Sequence, residues 1–277
     1  VTLRSIEALS QIIASYDLIL CDVWGVLHNG VSAFSNAGDA LAAARERGKT
    51  VILITNSPRP AAQVTTQLDA LDVRRDAYDG VVTSGDVTRT LIADGPRRVF
   101  NLGPDRDLAL YDGLDVELVE DFEASGVVCT GLVDDENETL KRFRARNLPF
   151  ICANPDIVVE RGDRLIYCAG ALAREYTLLG GRTFIAGKPH PPIYARAIEM
   201  ATAIIGVKPD QRRVLAIGDG ITTDVKGAMD AEYDLLFISD GIHAHEYGTP
   251  GNPDKARMAQ FLEDFGAAPV ATMKRLG

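Results

Sequence analysis

Short apolar runs rich in β-branched residues recur along this chain, and several of them end on a residue suited to chemistry rather than packing. Leu18-Ile19-Leu20-Cys21 runs into Asp22, Val51-Ile52-Leu53-Ile54 into Thr55-Asn56, and Val214-Leu215-Ala216-Ile217 into Gly218-Asp219. Runs this short, bounded by Gly and Pro and separated by helical patterns, read as buried strands of a parallel sheet. Parallel neighbours need a crossover of about a dozen residues or more, usually a helix. The alternation therefore predicts an α/β fold with doubly wound parallel sheets. Ligands of such sheets collect outside the carboxyl ends of the strands, which is where these polar residues fall.

Ile6, Leu9, Ile12 and Ile13 suggest an amphipathic helix at the start, rather than a signal peptide. A strand is expected at 17–21, then a helix capped by Asn36 and ending at Gly48. A strand over 50–54 precedes a helix entered through Pro58–Pro60. Further strands are expected at 81–82, 97–100, 116–118, 127–129, 150–152, 182–185, 214–217 and 235–238. The runs that end on acidic residues lie in 1–83 and 183–277, whereas 84–182 has strands and helices without them. The expected organisation is a core domain made of 1–83 and 183–277, interrupted by an inserted α/β domain over 84–182.

Lys and Arg number 29 against 39 Asp and Glu, a net charge of −10. Such a surface repels nucleic acid and anionic membrane, so neither is an expected partner. No apolar run approaches the ~20 residues of a membrane span. The four cysteines form no C-x-x-C pair and three sit in apolar runs, which suggests buried free thiols and a cytoplasmic location.

Four segments follow apolar runs and together read as a phosphate site: Asp22, Thr55-Asn56-Ser57, Gly187-Lys188-Pro189, and Gly218-Asp219 through Asp224. The hydroxyl of Thr55 and the amide of Asn56 can donate to phosphoryl oxygens. Lys188 can screen a carboxylate nucleophile from an anionic substrate. Asp219 and Asp224 would repel Asp22 unless a hard cation sat among them, and Mg2+ suits such oxygen ligands.

In order and character, Asp22, Thr55, Lys188 and Asp219/Asp224 resemble the four motifs of the haloacid-dehalogenase-like (HAD) hydrolases. Asp22-x-x-Gly25-Val26-Leu27, Thr55-Asn56 and the long insert look like the class IIA capped, NagD-like branch, which includes nitrophenyl-, phosphoglycolate- and pyridoxal-phosphate phosphatases. Thr83-Ser84-Gly85, Asn154-Pro155-Asp156 and Gly170-Ala171 look like that branch too, and the likeness runs from about Asp17 to Gly241. It implies a Rossmann-like core with a class IIA cap, and a Mg2+-dependent phosphatase acting on a small phosphorylated metabolite. Asp22 would be the nucleophile that forms an aspartyl-phosphate. Thr55, Asn56 and Lys188 would hold the phosphoryl group. Asp22, the main-chain carbonyl of Trp24, Asp219 and Asp224 would serve the metal. Caps of this class often pair, so the resemblance also raises a homodimer.

The chain departs from the pattern at Trp24, where the family carries a second Asp that protonates the leaving oxygen and later activates water. Indole does neither near neutral pH. General acid–base catalysis is worth about 10²–10⁴-fold, or roughly 3–5 kcal/mol of barrier. Three readings follow: a phosphatase of low or unusual activity, with His28 one candidate to supply the proton; a phospho-ligand-binding or regulatory protein; and a metal-independent 2-haloacid dehalogenase, since those enzymes carry a bulky aromatic at this position. His28 otherwise reads as an exposed loop residue. In the insert, Asn154 and Asp156 could face the substrate or close a strand-end turn. Arg161, Arg164 and Arg174 could meet a substrate carboxylate or be plain charged surface. His190 reads as a residue that positions Lys188. His243-x-His245 has metal-ligand spacing without further Cys or His nearby.

Overall fold

The computed structural model of the protein describes residues 3–132, 136–161 and 164–277. Strands β1 (Leu18–Cys21), β2 (Thr50–Thr55) and β3 (Gly80–Thr83) come first. They are followed by β4 (Arg98–Leu102), β5 (Glu117–Leu118), β6 (Gly126–Cys129) and β7 (Phe150–Cys152). Next are β8 (Val158–Arg161), β9 (Arg164–Tyr167), β10 (Thr183–Ile185), β11 (Val214–Gly218) and β12 (Asp234–Ile238). The chain closes with β13 (Gly248–Thr249), β14 (Asn252–Pro253) and β15 (Ala271–Met273). One sheet has six strands in the order β15-β12-β11-β1-β2-β3, and a second has five in the order β10-β7-β6-β4-β5. Every pairing within these two sheets is parallel.

The uniformly apolar strands are explained by cover on both faces. All four residues of β1 are buried. Ile19 and Cys21 join one core with Leu41, Val64 and Leu68, from the helices Ser35–Glu46 and Ala61–Ala70. Leu18 and Leu20 join another with Ile193 and Ala197, from the helix Pro191–Ile205. Successive side chains of a strand point to opposite faces, so a doubly wound sheet needs apolar residues at every position. The second sheet is built the same way. Phe150 stacks on Tyr176 of the helix Ala169–Leu178 on one face, and Ile151 packs with Ile92 and Val99 on the other.

Strand β1 lies between β11 and β2 in the larger sheet. The winding reverses there, and a crevice opens at the carboxyl end of such a strand. Asp22, the residue after β1, stands at that crevice.

The structure corrects several local expectations. The first residues form two short 3-10 turns, Leu9–Gln11 and Ile13–Ser15, instead of one helix. Their backbone donors go elsewhere: Ile6 N–H donates to Thr272 and Leu9 N–H to Gly277. The helix expected from Asn36 begins at Ser35 after Phe34, with no side-chain cap, and the chain enters it through the bond from Phe34 N–H to Leu27. Strand β10, expected in the sheet of Asp22, pairs with β7 at the edge of the second sheet. The six-stranded sheet therefore draws its strands from 18–83 and 214–273. The cysteines Cys21, Cys129, Cys152 and Cys168 are free and buried. Among the described residues no helix is long and apolar enough to cross a membrane.

Phe150 is fully buried and stacked on Tyr176. Phe150→Ala is expected to lower stability by about 3–5 kcal/mol, read as a fall in the urea midpoint with little change in slope.

Candidate active site

Three carboxylates and one ammonium meet at the floor of a cavity of about 650 Å³ that opens where the loops of the two sheets face one another. Asp22 arrives from the end of β1, held by its N–H donating to Ile217 O at 2.8 Å. Asp219 follows β11, and Asp224 lies in the single wide helical turn Ile221–Val225 just beyond. Each offers an oxygen within 4.8 Å of the others, and all three are buried. Lys188 Nζ donates to Asp22 Oδ1 at 2.5 Å and to Asp224 Oδ1 at 2.7 Å. Lys188 follows β10, so the second sheet delivers this cation to carboxylates carried by the first.

Backbone shape makes the cluster feasible. Gly25 has φ +81°, and a Cβ there would lie 2.2 Å from Asp219 Oδ2. A Cβ at Gly241 would come within 2.0 Å of the same oxygen. Asp219 is thus seated between two residues that must lack side chains, and Oδ2 accepts from Ile242 N–H at 2.8 Å. Asp224 Oδ2 accepts from Gly220 N–H at 3.1 Å.

Burial and mutual repulsion set the protonation of these groups. Burial, and next the charge of Asp224, push Asp219 up to about 7. The same two causes hold Asp22 well above the usual carboxylate range, against the pull of Lys188. Burial works against the charge of Lys188, but Asp22 and Asp224 outweigh it and keep the ammonium protonated. Three carboxylates less one ammonium leave a formal charge of −2 on buried groups. A divalent cation cancels that charge, and hard oxygen donors at this spacing suit one.

Thr55 is buried at the end of β2 and its Oγ1 accepts from Ser57 N–H. Asn56, expected to meet phosphate through its amide, is engaged elsewhere. Its Oδ1 accepts from Lys188 N–H at 2.7 Å, and its Nδ2 donates to Asp156 Oδ1 at 2.7 Å and to Lys188 O at 3.3 Å. Asn154 closes a turn, accepting from Asp156 N–H through Oδ1 at 3.1 Å. Asn154 and Asp156 line the cavity, and the bond from Asn56 to Asp156 joins the second sheet's loop to the Thr55-Asn56 loop.

Trp24 lines the cavity half-buried, its ring edge-on to His28 at 4.9 Å between centroids. Its benzo edge packs over Gly30, where a Cβ would fall 2.5 Å from the ring. His28 is no exposed loop residue: it is 1% accessible, and Nδ1 accepts from Gly30 N–H at 2.9 Å. Burial foremost, then the nearby Arg59, lowers it to about 4. It is a neutral prop under Trp24, not an acid. His190 precedes the helix Pro191–Ile205 and ties back to Gly187 O through its N–H, which fixes the Lys188 turn. His243 Nε2 accepts from Ile221 N–H at 3.1 Å, so His243 supports the Asp219–Asp224 turn, while His245 is exposed. Arg161 and Arg164 fall outside the residues whose side chains are described; Arg174 is in the cavity wall.

Sequence reasoning missed Gly241, Asp240, Arg59 and Arg275 in the cavity wall. Asp240 follows β12 at the same sheet edge, so the strand-end criterion that found Asp22 and Asp219 applied to it as well. Its Oδ2 accepts from Arg275 Nε at 2.7 Å. Nothing local marks Arg275, which reaches the cavity from the end of the chain and lies over Phe34.

Residues 19–117 match the family described as haloacid dehalogenase-like hydrolase, and residues 185–268 a second described as HAD-hydrolase-like. A crystal structure of a hydrolase of the haloacid dehalogenase-like family from Brucella suis 1330 is 57% identical. It covers 98% of this chain and 100% of its own, with a TM-score of 0.87. A D-glycerol 3-phosphate phosphatase of Mycobacterium tuberculosis is 27% identical over 85% of this chain, which spans 66% of that relative's length. A glycerol phosphate phosphatase from Mycobacterium tuberculosis, solved in complex with magnesium, shares the fold at 24% identity. Its TM-score is 0.64, over 82% of this chain and 69% of its own.

The raised carboxylates give a pH test of the cation site. Between their unfolded range near 4 and the folded value of about 7 for Asp219, the folded protein holds protons that the unfolded chain has lost. Stability without cation therefore falls as pH rises through that window. Cation binding needs the deprotonated form. The rise in Tm on adding a divalent cation is expected to be larger at pH 8 than at pH 5.5, with proton release on binding at pH 6; an equal rise at both values would refute this placement of the charge.

Proposed function

We infer that this chain, which belongs to the haloacid dehalogenase-like hydrolases, is a Mg2+-dependent phosphatase that cleaves a small phosphorylated metabolite through an aspartyl-phosphate on Asp22. The observation that carries the reading is the Lys188 ammonium held between Asp22 and Asp224, with Asp219 in reach, at the floor of the cavity. The phosphatases of Mycobacterium tuberculosis named above support the reaction class.

Asp22, Asp219, Asp224 and the main-chain carbonyl of Trp24 would hold the metal, whose charge would offset the carboxylates and stabilise negative charge developing on the phosphoryl oxygens. Thr55 and Lys188 orient the phosphoryl group in line with Asp22. An Asp22 oxygen bonds to phosphorus as the ester P–O bond breaks, and the leaving oxygen departs with the electron pair and takes a proton from water. A water oxygen then bonds to phosphorus, the Asp22–phosphorus bond breaks, and the water's proton passes to solvent. The balance is ester plus water giving alcohol plus phosphate, with Asp22 restored. Splitting one displacement into two in this way is the gain from a covalent nucleophile.

Trp24 sits where a proton relay would act, and neither indole nor the neutral His28 beneath it supplies one. The site therefore suits leaving groups that depart unprotonated, aryl phosphates above alkyl phosphates. A metal-free attack at carbon would leave three buried carboxylates sharing the single ammonium of Lys188, which weighs against the dehalogenase reading. Retention of a phospho-ligand without turnover is the reading that Trp24 keeps open.

Release of nitrophenol from nitrophenyl phosphate is expected with Mg2+, to be lost on chelation and abolished in Asp22→Asn. Tight binding without release in the wild type would replace the phosphatase by a phospho-ligand receptor. Trp24→Asp is expected to raise kcat on alkyl phosphates by about 10²-fold or more. No gain in a variant with unchanged circular dichroism would refute the account of the missing acid.

A further inference from the structure

One wall of the cavity that holds Asp22 is a face of the helix Ala169–Leu178. Gly170, Ala173, Arg174 and Thr177 line it, at the i, i+3, i+4, i+7 spacing of a single helical stripe. Packing fixes how this stripe is presented. A Cβ at Gly170 would come within 2.0 Å of Pro155 O and 2.6 Å of Asp156 O, so the start of the helix lies hard against the loop carrying Asp156. Asp156 is bonded in turn to Asn56, and Asn56 to Lys188. The stripe is thereby set relative to the phosphate loop and the catalytic floor by a chain of direct contacts.

Arg174 is the large side chain of this stripe; its neighbours are small and leave room in front of it. The other arginines of the cavity are engaged. Arg59 Nη2 donates to Gln67 Oε1 at 2.6 Å, and Arg275 pairs with Asp240. Arg174 has no ion pair or hydrogen bond with a described residue, and it is exposed to the cavity mouth. An unneutralised guanidinium facing an acidic floor, in a chain of net charge −10, is placed to receive a negative group. Its planar fork matches an oxyanion in two-point contact. The cavity of about 650 Å³ is of the size that holds drug-sized ligands, so a phosphate at the floor leaves space for the rest of a substrate to reach this wall.

We propose that Arg174 forms a second anion subsite, and that the substrate is a phosphate monoester whose leaving group carries a further oxyanion, a carboxylate or a second phosphate. The proposal rests on the phosphatase reading for what happens at Asp22, but the subsite is a property of binding and can be measured without turnover. Arg174 does not touch the reacting atoms; it selects and anchors the leaving group.

The test compares 3-carboxyphenyl, 4-carboxyphenyl and 4-(carboxymethyl)phenyl phosphates with their neutral carboxamide counterparts, which match them in size. On the ring-attached pairs the amide withdraws more electron density and makes the better leaving group, so chemistry alone favours the neutral ester. In the wild type at least one carboxylate ester is expected to exceed its amide in kcat/KM by about tenfold or more, the scale of one hydrogen bond to a charged group. Arg174→Ala is expected to bring that ratio to one or below, Arg174→Lys to keep part of it, and added salt to shrink it. Ala is a strong helix former at an exposed position, so the variant tests charge rather than folding. A carboxylate-to-amide ratio that is the same in wild type and Arg174→Ala overturns the subsite. If no ester is turned over, the phosphatase reading fails on its own. Calorimetric binding of the same ester pairs then decides the subsite: an Arg174-dependent preference for the carboxylate supports it, and its absence overturns it.

Discussion

The Lys188 ammonium, clasped between Asp22 and Asp224 with Asp219 beside them, is the contact on which the rest of the site depends. Taking four charged groups out of water is costly, and repulsion among three carboxylates adds to the cost. One lysine cannot balance them. The unbalanced formal charge of −2 is what suits the cluster to a divalent cation, and the proposed phosphoryl site rests on that cation. Burial also lifts the pKa values of Asp22 and Asp219, so the proposed cation site favours protons when no cation is bound.

The two sheets divide the labour. The larger sheet supplies the acidic residues from strand ends on either side of its winding reversal. The smaller supplies Lys188 from its own edge strand and, through Asp156 and Asn56, a hydrogen-bonded brace that holds the Lys188 backbone. Cation, phosphate loop and cavity wall are thus tied to one another across the sheets. A change in how the sheets sit would be felt at the ammonium and at Arg174 together.

Trp24 alters this design at one point. Its side chain packs against His28 and Gly30, and indole offers no proton relay near neutral pH. In the proposed phosphatase the chemical burden would then shift to the leaving group. A substrate that departs as a stabilised anion, and that is anchored by a second charge, asks least of the missing proton donor.

The sequence by itself determined the α/β class, the succession of strands, and the acidic residues at the ends of β1 and β11, because these are carried by local periodicity and by residues next to a strand. It also carried the family likeness, since the motif residues lie in short contiguous segments. It misplaced β10, because an apolar run names a strand but not its partner, and sheet membership is settled by which neighbour completes the ladder. It read His28 as exposed and gave no sign that Asn56 bonds Lys188 and Asp156, because accessibility and hydrogen-bond partners belong to the packed state. Only the tertiary structure set Gly25 and Gly241 around Asp219, brought Arg275 from the chain end to the cavity, and singled out Arg174 as the arginine of its wall without a described partner. Those facts concern residues far apart in sequence, whose relations come into being when apolar faces pack and bring distant loops to one edge.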